Sequence, residues 1–293
     1  MNKISTSDIK KLRDLTGAGF LDCKEALEQS SLNVDKAIDF LRKKGISSAQ
    51  KKGDRTANEG LIAIAKDESN KEAAIIEVNS ETDFVARNED FQKFVLDLSD
   101  LNLKNKGNLE KLMASNYLDS KDKVSESLNN QISKIGENLS IRRCTYIHID
   151  KGFIGTYVHN VEKDLMGKIG VLISIKTNIN FSDINDFLKK ICMHIAATNP
   201  ISTSSSDIDE NILKKEKEFQ LEEIKKSGKE PSIQEKMLEG KMKKYFNEVV
   251  LLEQNFVMDD SIKIKEFIEN TAKELKGSIE IKEFIRFKVG EAI

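Results

Sequence analysis

Tryptophan is absent from the 293 residues, proline occurs twice, and cysteine and histidine occur three times each. Each scarcity excludes something. With so little proline the chain is expected to run in long helices and well-formed strands rather than in loops. Cys23, Cys144 and Cys192 lie far apart and form no CxxC, which argues against a disulfide framework or zinc ribbon and for free thiols in a reducing compartment. Net charge is nearly absent too, since 47 Lys and Arg stand against 49 Asp and Glu, a formal charge of -2. That balance removes the expectation of phosphate-backbone binding that a strongly basic chain carries. Met1 is followed by Asn-Lys-Ile-Ser-Thr with no apolar targeting segment, and no run approaches the ~18 apolar residues of a membrane span. A soluble, cytoplasmic protein that binds neither nucleic acid nor membrane is expected.

Catalytic constellations are missing as well. His148, His159 and His194 have no second histidine at metal-ligand spacing, and Cys192 and His194, two apart, share no helix face. GxxxxGK[ST], GxGxxG and GxSxG do not occur. Glu77, Glu81 and Asp83 are close enough in sequence to imitate paired carboxylates, but their setting reads as a solvated loop. The chain is expected not to be an enzyme, and to hold no cofactor or metal of its own.

What is present is a third of the residues charged and 39% hydrophobic, ample for a core and, at about 150 residues per domain, for two or more units. Residues 1–45 carry helix punctuation. Ser5-Thr6-Ser7 can cap a helix through Ile9, Leu12 and Leu15; Gly17 and Gly19 break it; Phe20 to Glu28 reads as a second helix. Asn33 can cap a third with Val34, Ala37, Ile38 and Leu41 on one face, ended by Gly45. Residues 46–58, with little apolar content beyond Ile46, read as a tether. The period then turns strand-like: Gly60-Leu-Ile-Ala-Ile-Ala65 and Ala73-Ala-Ile-Ile-Glu-Val78 predict a hairpin, followed by a helix around Phe91, Phe94, Val95 and Leu98. The same order recurs about 92 to 96 residues later with Gly152 to Val158, a turn, Ile169 to Ile175, and a helix starting at Asn185-Asp-Phe187, opposite Glu89-Asp-Phe91. Either an internal duplication or two similar units by chance accounts for it, packed side by side or face to face. Core subdomains are thus expected over 59–140 and 141–206.

Residues 207–250 predict an antiparallel helical hairpin. Ile208, Ile212, Phe219 and Ile224 mark one arm; Ile233, Met237, Tyr245 and Val249 mark the other; Ser227, Gly228 and Pro231 lie between. It reads either as closed on itself in solvent or as a docking or dimer surface. Elsewhere, in Glu81-Thr82-Asp83-Phe84-Val85-Ala86-Arg87, an aromatic side chain stands among charges at a strand-to-helix junction. It is either tucked under its helix or an exposed anchor of the kind that dominates interfaces.

Taken in order, these segments resemble the bacterial elongation factor Ts family, guanine-nucleotide exchange factors of elongation factor Tu. The resemblance rests on Leu12-Arg-Asp-Leu-Thr-Gly-Ala-Gly19 with Asp22-Cys-Lys-Glu-Ala-Leu27, Thr82-Asp-Phe-Val-Ala86, and Lys134-Ile-Gly-Glu-Asn138. It continues in Met193-His-Ile-Ala-Ala197, Glu239-Gly-Lys-Met-Lys-Lys244, Phe256-Val-Met-Asp259 and Phe284 to Glu291. It implies an α+β architecture: a ubiquitin-associated-like three-helix module, two related hairpin-plus-helix core subdomains, a coiled-coil hairpin used in dimerisation, and over 251–293 a return to the core and a C-terminal helical module. It implies that Thr82, Asp83, Phe84 and Val85 displace magnesium from the partner's nucleotide site, the aromatic acting as a wedge. Lys24, Ile135, Gly136, His159, Val257 and Met258 are the further implied partner contacts. Each has a plainer alternative: Ile135, Val257 and Met258 as core, Lys24 as a solvated charge, His159 as a loop residue. The implied partner is elongation factor Tu, and a homodimer through the hairpin is left open. Departures from the family pattern are Phe20-Leu21, where many relatives carry two methionines, and Asn255 in place of a common proline. From other classes, a helical adaptor would leave Thr82 to Ala86 unexplained, and an RNA-binding protein would want more positive charge and more aromatics.

Overall fold

The computed structural model describes residues 4–226 and 228–292. Ser227, expected in the turn of the helical hairpin, lies outside the described residues, as do 1–3 and Ile293. The chain opens with helices α1 (Thr6–Thr16), α2 (Phe20–Gln29) and α3 (Val34–Lys52). Strands β1 (Glu59–Lys66) and β2 (Glu72–Ser80) follow, then α4 (Asp83–Ala86), α5 (Glu89–Lys104), α6 (Leu109–Ala114), α7 (Val124–Ile135) and β3 (Leu139–His148). Next come β4 (Phe153–Lys163), β5 (Met166–Thr177), α8 (Phe181–Thr198), α9 (Glu210–Lys225) and α10 (Pro231–Val249). The last elements are β6 (Asn255–Phe256), β7 (Asp259–Lys263), α11 (Ile264–Glu274) and β8 (Ile279–Lys288). All strand-to-strand pairings between these strands are antiparallel, which makes the fold a mixed one with separate runs of helix and strand.

The first three helices close a small core of Ile9, Leu12, Cys23, Ala26, Leu27 and Ala37. Ser5 caps α1 by accepting from the Asp8 amide, while Asp8 accepts from the Ser5 amide in return, and Gly17 at φ 67° ends the helix. The end expected for α3 at Gly45 is not observed. The helix continues to Lys52, so most of the tether expected over 46–58 is helical and only 53–58 connects. The reason lies in packing. Gly45 is buried, and a Cβ there would come within 3.0 Å of Ser133 Oγ, so this glycine permits α3 to cross α7 closely instead of stopping the helix. Arg42 pairs with Asp122 and Glu126 across the same crossing.

The main sheet has the order β3-β2-β1-β5-β4, with β8 added to β5. Its strands read as unbroken apolar runs because both faces are covered. Leu61, Ala63, Ile76 and Val78 turn to one side and meet Phe91, Phe94, Val95 and Leu98 of α5. Ile62, Ile64 and Ile75 turn to the other and meet Ile154, Val158, Leu172 and Phe287. From β5, Val171, Ile173 and Ile175 face Ile184, Phe187, Leu188 and Ile191 of α8. The β1–β3 part and the β4, β5 and β8 part of this one sheet thus pack face to face with a helix outside each, while Ile62 and Ala63 pair with Gly167 and Met166 to join the two parts edge to edge. Both packings left open by the sequence are present together.

Several expected boundaries move. The division at 140/141 cuts through β3, which pairs with β2 along its length and completes the first sheet. Strand β4 continues past Val158 to Lys163, so the turn before β5 shrinks to 164–165. Glu89 opens α5, whereas Asn185 lies a turn inside α8, which begins at Phe181; the two segments are not in equivalent places. The C-terminal stretch is not a helical module. Among the described residues there, α11 and a single 3-10 turn at Leu251–Glu253 are helical, and Ile279–Lys288 is a sheet strand bound to β5 from Thr177 to Ile169. In the hairpin, Ile224 and Met242 are buried but Ile212, Phe219 and Ile233 are exposed. The inward stripe of α9 instead holds Leu213, Glu216 and Gln220, with Gln220 Nε2 donating to Glu216 Oε1 at 2.7 Å.

Candidate partner-docking site

Strand β2 ends at Ser80, and the chain turns sharply into α4, a helix of only four residues. So short a helix has no stability of its own and is held by its surroundings. Val85 and Ala86 enter the core against α5, with Val85 7% exposed; Phe84, next to Val85, is 75% exposed. The two possibilities for the aromatic are thereby decided, since it is not tucked under its helix. Below it, Ser80 Oγ donates to the Thr82 carbonyl at 2.9 Å, and Gln92 Nε2 donates to the Ala86 carbonyl at 3.0 Å. Asp83 is exposed and lies 3.7 Å from Arg87. Thr82 is half-buried, its amide and hydroxyl both turned toward Glu137.

That contact brings the second predicted segment to the first. Helix α7 ends at Gly136, whose φ of 88° is left-handed, and no atom lies within 4 Å of where a Cβ would sit; glycine is there for conformation, not for space. Ile135 is half-buried against the core and Gly136 is exposed. Glu137 bonds to Thr82 and Asn138 to Glu81, so Ile135–Gly136 and Phe84 sit on cross-linked loops. Lys134, in the last turn of the same helix, pairs with Asp90 at 2.7 Å and lies 3.6 Å from the Cβ position of Gly17. Between the N-terminal helices and α7 runs a cleft of about 340 Å³, lined among others by Leu15, Gly19, Arg42 and Lys134. Leu15, grouped in sequence with Ile9 and Leu12, is not buried with them but exposed at the cleft's rim, and Phe20 and Leu21 are exposed too. Lys24 is exposed and lies 3.8 Å from Glu28.

The remaining predicted residues belong to the second half. His159 lies within β4, not after it, and its Nδ1 is 3.0 Å from the Tyr157 hydroxyl on the same strand. Val257 and Met258 form the tight connection from β6 to β7 and are 52% and 45% exposed, which rules out core roles for both. Beneath them His194 is fully buried. Its Nδ1 accepts from the Val257 amide at 3.2 Å, its Nε2 lies 2.8 Å from Gln254 Oε1, and Phe256 packs on its ring. Thr198 donates to the same Gln254 oxygen at 3.0 Å, while Gln254 Nε2 donates to the Glu248 carbonyl in α10. Burial lowers the His194 pKa, opposed by the Gln254 bond, so the ring is neutral and Nδ1 is free to accept.

Glu137 and His194 lie in segments that carry the family resemblance but had no role assigned from sequence, and Gln254 was not singled out. Metal-ligand spacing gives His194 no role, although Thr198 at i+4 marks the same helix face; Gln254, sixty residues away, gives no local signal. Glu77, Glu81 and Asp83 do not converge. Glu77 is buried and bound by Arg142 and Arg143, Glu81 accepts from the Asn138 amide, and Asp83 faces solvent. Among the described residues no group of three His, Cys, Asp or Glu side chains is placed to hold a metal ion, and no helix is long and apolar enough to cross a membrane.

The family model described as elongation factor TS matches residues 81–291, a span that holds the Phe84 turn, the Ile135–Gly136 loop and the Val257–Met258 connection. The chain is similar to elongation factor Ts of Mesorhizobium japonicum, 43% identical over 290 residues covering 99% of this chain and 94% of the relative. Elongation factor Ts of Rickettsia bellii is 42% identical over 291 residues, 99% of this chain and 93% of the relative, and that of Bartonella bacilliformis is 41% identical over 290 residues, with 99% and 94% covered. With the family match running over most of its length and these identities over nearly all of it, this chain belongs to the elongation factor Ts family.

Proposed function

We propose that this chain is a guanine-nucleotide exchange factor that binds elongation factor Tu in its GDP state, displaces the partner's magnesium and promotes GDP release so that GTP can rebind. The observation that carries the reading is Phe84, a large apolar side chain held in solvent by a turn whose next two residues are locked in the core. Thr82, Asp83 and Phe84 form the wedge, and Val85 seats it. No covalent step is required of the chain, so it is an exchange factor and not an enzyme; nucleotide and metal belong to the partner. Such a factor works in the cytoplasm beside the translation apparatus.

Magnitudes require more than the wedge. A thousandfold acceleration takes about 4 kcal/mol from the release barrier, while burying one Phe yields roughly 1.5 to 3 kcal/mol. The rest is assigned to Lys24 on the N-terminal module, to Ile135 and Gly136, and to His159, Val257 and Met258 on the second half. Coupling of the two binding equilibria is reciprocal, so whatever affinity for nucleotide the factor removes, bound nucleotide removes in turn from the factor's grip. Stopped-flow release of a fluorescent guanine nucleotide from elongation factor Tu, with and without this protein, tests the reading; no acceleration overturns it.

Homodimerisation through the hairpin is a second element of the proposal. Ile212 and Phe219, seven apart on α9, are exposed on one face, as is Ile233 on α10. Sedimentation equilibrium of the protein and of a Phe219→Glu variant tests it; a monomer at every concentration overturns this part alone.

A further inference from the structure

The wedge stands on a helix too short to fix its own direction, so something outside must set the angle at which Phe84 meets a partner. The loop after α7 supplies it. Glu137 Oε2 accepts from the Thr82 amide at 3.0 Å and Oε1 accepts from the Thr82 hydroxyl at 2.8 Å. Thr82 is the N-cap residue of α4, yet its hydroxyl makes no cap bond because Glu137 takes it. Two bonds from one carboxylate to one residue fix rotation as well as position. The adjoining pair is bonded in the opposite sense, with Glu81 Oε1 accepting from the Asn138 amide at 2.6 Å. Asn138 Nδ2 in turn reaches the Gly53 and Arg55 carbonyls at 3.3 and 2.7 Å, which anchors the loop to the end of the N-terminal helices. Each loop therefore gives the other a carboxylate and takes an amide. Glu137 itself is half-buried, with both oxygens turned inward to Thr82.

We infer that Glu137 is a positioning residue for nucleotide exchange: it aims Phe84 through Thr82 and makes the Ile135–Gly136 contact and the wedge one rigid body. This rests on the exchange reading above. Replacing the carboxylate by an amide keeps the size but removes the charge: the amide oxygen can accept from the Thr82 N–H, while its NH2 group meets a hydroxyl that must turn from donor to acceptor. Glu137→Gln is expected to lower the maximal release rate about tenfold, the effect of exchanging two charge-assisted hydrogen bonds for weaker neutral ones. The factor concentration giving half that rate should move much less, since the other contacts are intact.

The deciding measurement is a double-mutant cycle by stopped-flow release of fluorescent guanine nucleotide from elongation factor Tu. If Glu137 acts only through the wedge, Glu137→Gln in a Phe84→Ala background changes nothing further. A full additional slowing in that background overturns the inference, because it would mark a general structural loss, and so does an unchanged rate in the single variant. Should Glu137→Gln fail to fold, Thr82→Val removes the hydroxyl bond from the other side and is expected to slow release in the same direction; no slowing overturns the inference. If the unaltered protein accelerates no release, the exchange reading fails by itself. Amide hydrogen exchange over 82–86 then decides the positioning role, with faster exchange in Glu137→Gln expected and unchanged exchange overturning it.

Discussion

Gly290 and Glu77 stand 213 positions apart in the chain, yet the Gly290 amide donates to Glu77 Oε1 at 2.9 Å. The same carboxylate, fully buried, accepts from Arg142 at 3.0 Å and from Arg143 at 2.6 Å. Both arginines go on to the end of the chain, Arg142 to the Glu291 carbonyl and Arg143 to the Lys288 carbonyl. One buried charge thereby clasps β2, β3 and the residues after β8.

Glu77→Gln leaves two guanidinium groups without their anion in a partly dry setting, and about 3 kcal/mol of stability should be lost. Equilibrium unfolding in urea measures it. A loss below about 1 kcal/mol would mean that water replaces the carboxylate at the arginines.

Phe84 and Val85 should separate function from stability. Phe84→Ala is expected to change unfolding free energy by less than about 0.5 kcal/mol, as at an exposed site, and to slow nucleotide release while partner binding remains measurable. Val85→Ala deletes two buried methyl groups and should cost about 1 to 2 kcal/mol. Release kinetics and urea titrations on both variants check the pair, and unchanged release in Phe84→Ala would count against the wedge.

Two glycines should respond with opposite sign. A Cβ at Gly170 would meet Ile62 Cγ2 at 2.6 Å and Ile75 Cδ1 at 2.8 Å, where the two parts of the sheet face each other, so Gly170→Ala should destabilise by about 1 to 3 kcal/mol. At Gly240, inside α10, nothing lies within 4 Å of that position, and Gly240→Ala should stabilise by about 0.5 to 1 kcal/mol. Thermal unfolding of each resolves the sign.

His194 predicts a pH effect. Burial lowers its pKa from the ordinary 6.5, so between that value and the folded one the unfolded chain binds a proton that the folded chain refuses. Stability therefore falls as pH drops through about 6.5 and stops falling below the folded pKa. The groups around the ring, Thr198, Gln254, Phe256 and the Val257 amide, are uncharged and do not reverse the sign. His194→Gln should flatten the melting temperature between about pH 7 and pH 5 relative to the unaltered protein; an equal slope would place the titration elsewhere.

The fold was legible where the signal was local. Ser5, Gly17 and Asn33 mark helix ends because capping is decided within four residues. The strands at 59–66 and 72–80 follow from apolar runs between polar turns. Gly45 misled because a glycine that lets two helices touch looks, in sequence, like one that ends a helix. The C-terminal strand escaped because its partner, β5, lies more than a hundred residues earlier. At the site, Phe84 stood out as an aromatic among charges. Its direction, and the histidine holding the Val257–Met258 connection, depend on contacts across 55 and 63 positions that no periodicity records.

The late position of β8 also orders events during synthesis. The first half can assemble β1, β2 and β3 with their helices from sequence already made, but β5 keeps most of one edge bare until 279–288 has left the ribosome. Glu77 must likewise wait for Gly290. A nascent chain stalled short of that point presents an open strand edge, while Glu77 holds its two arginines and lacks only the Gly290 amide. Closure of that edge is therefore set by the arrival of the last residues.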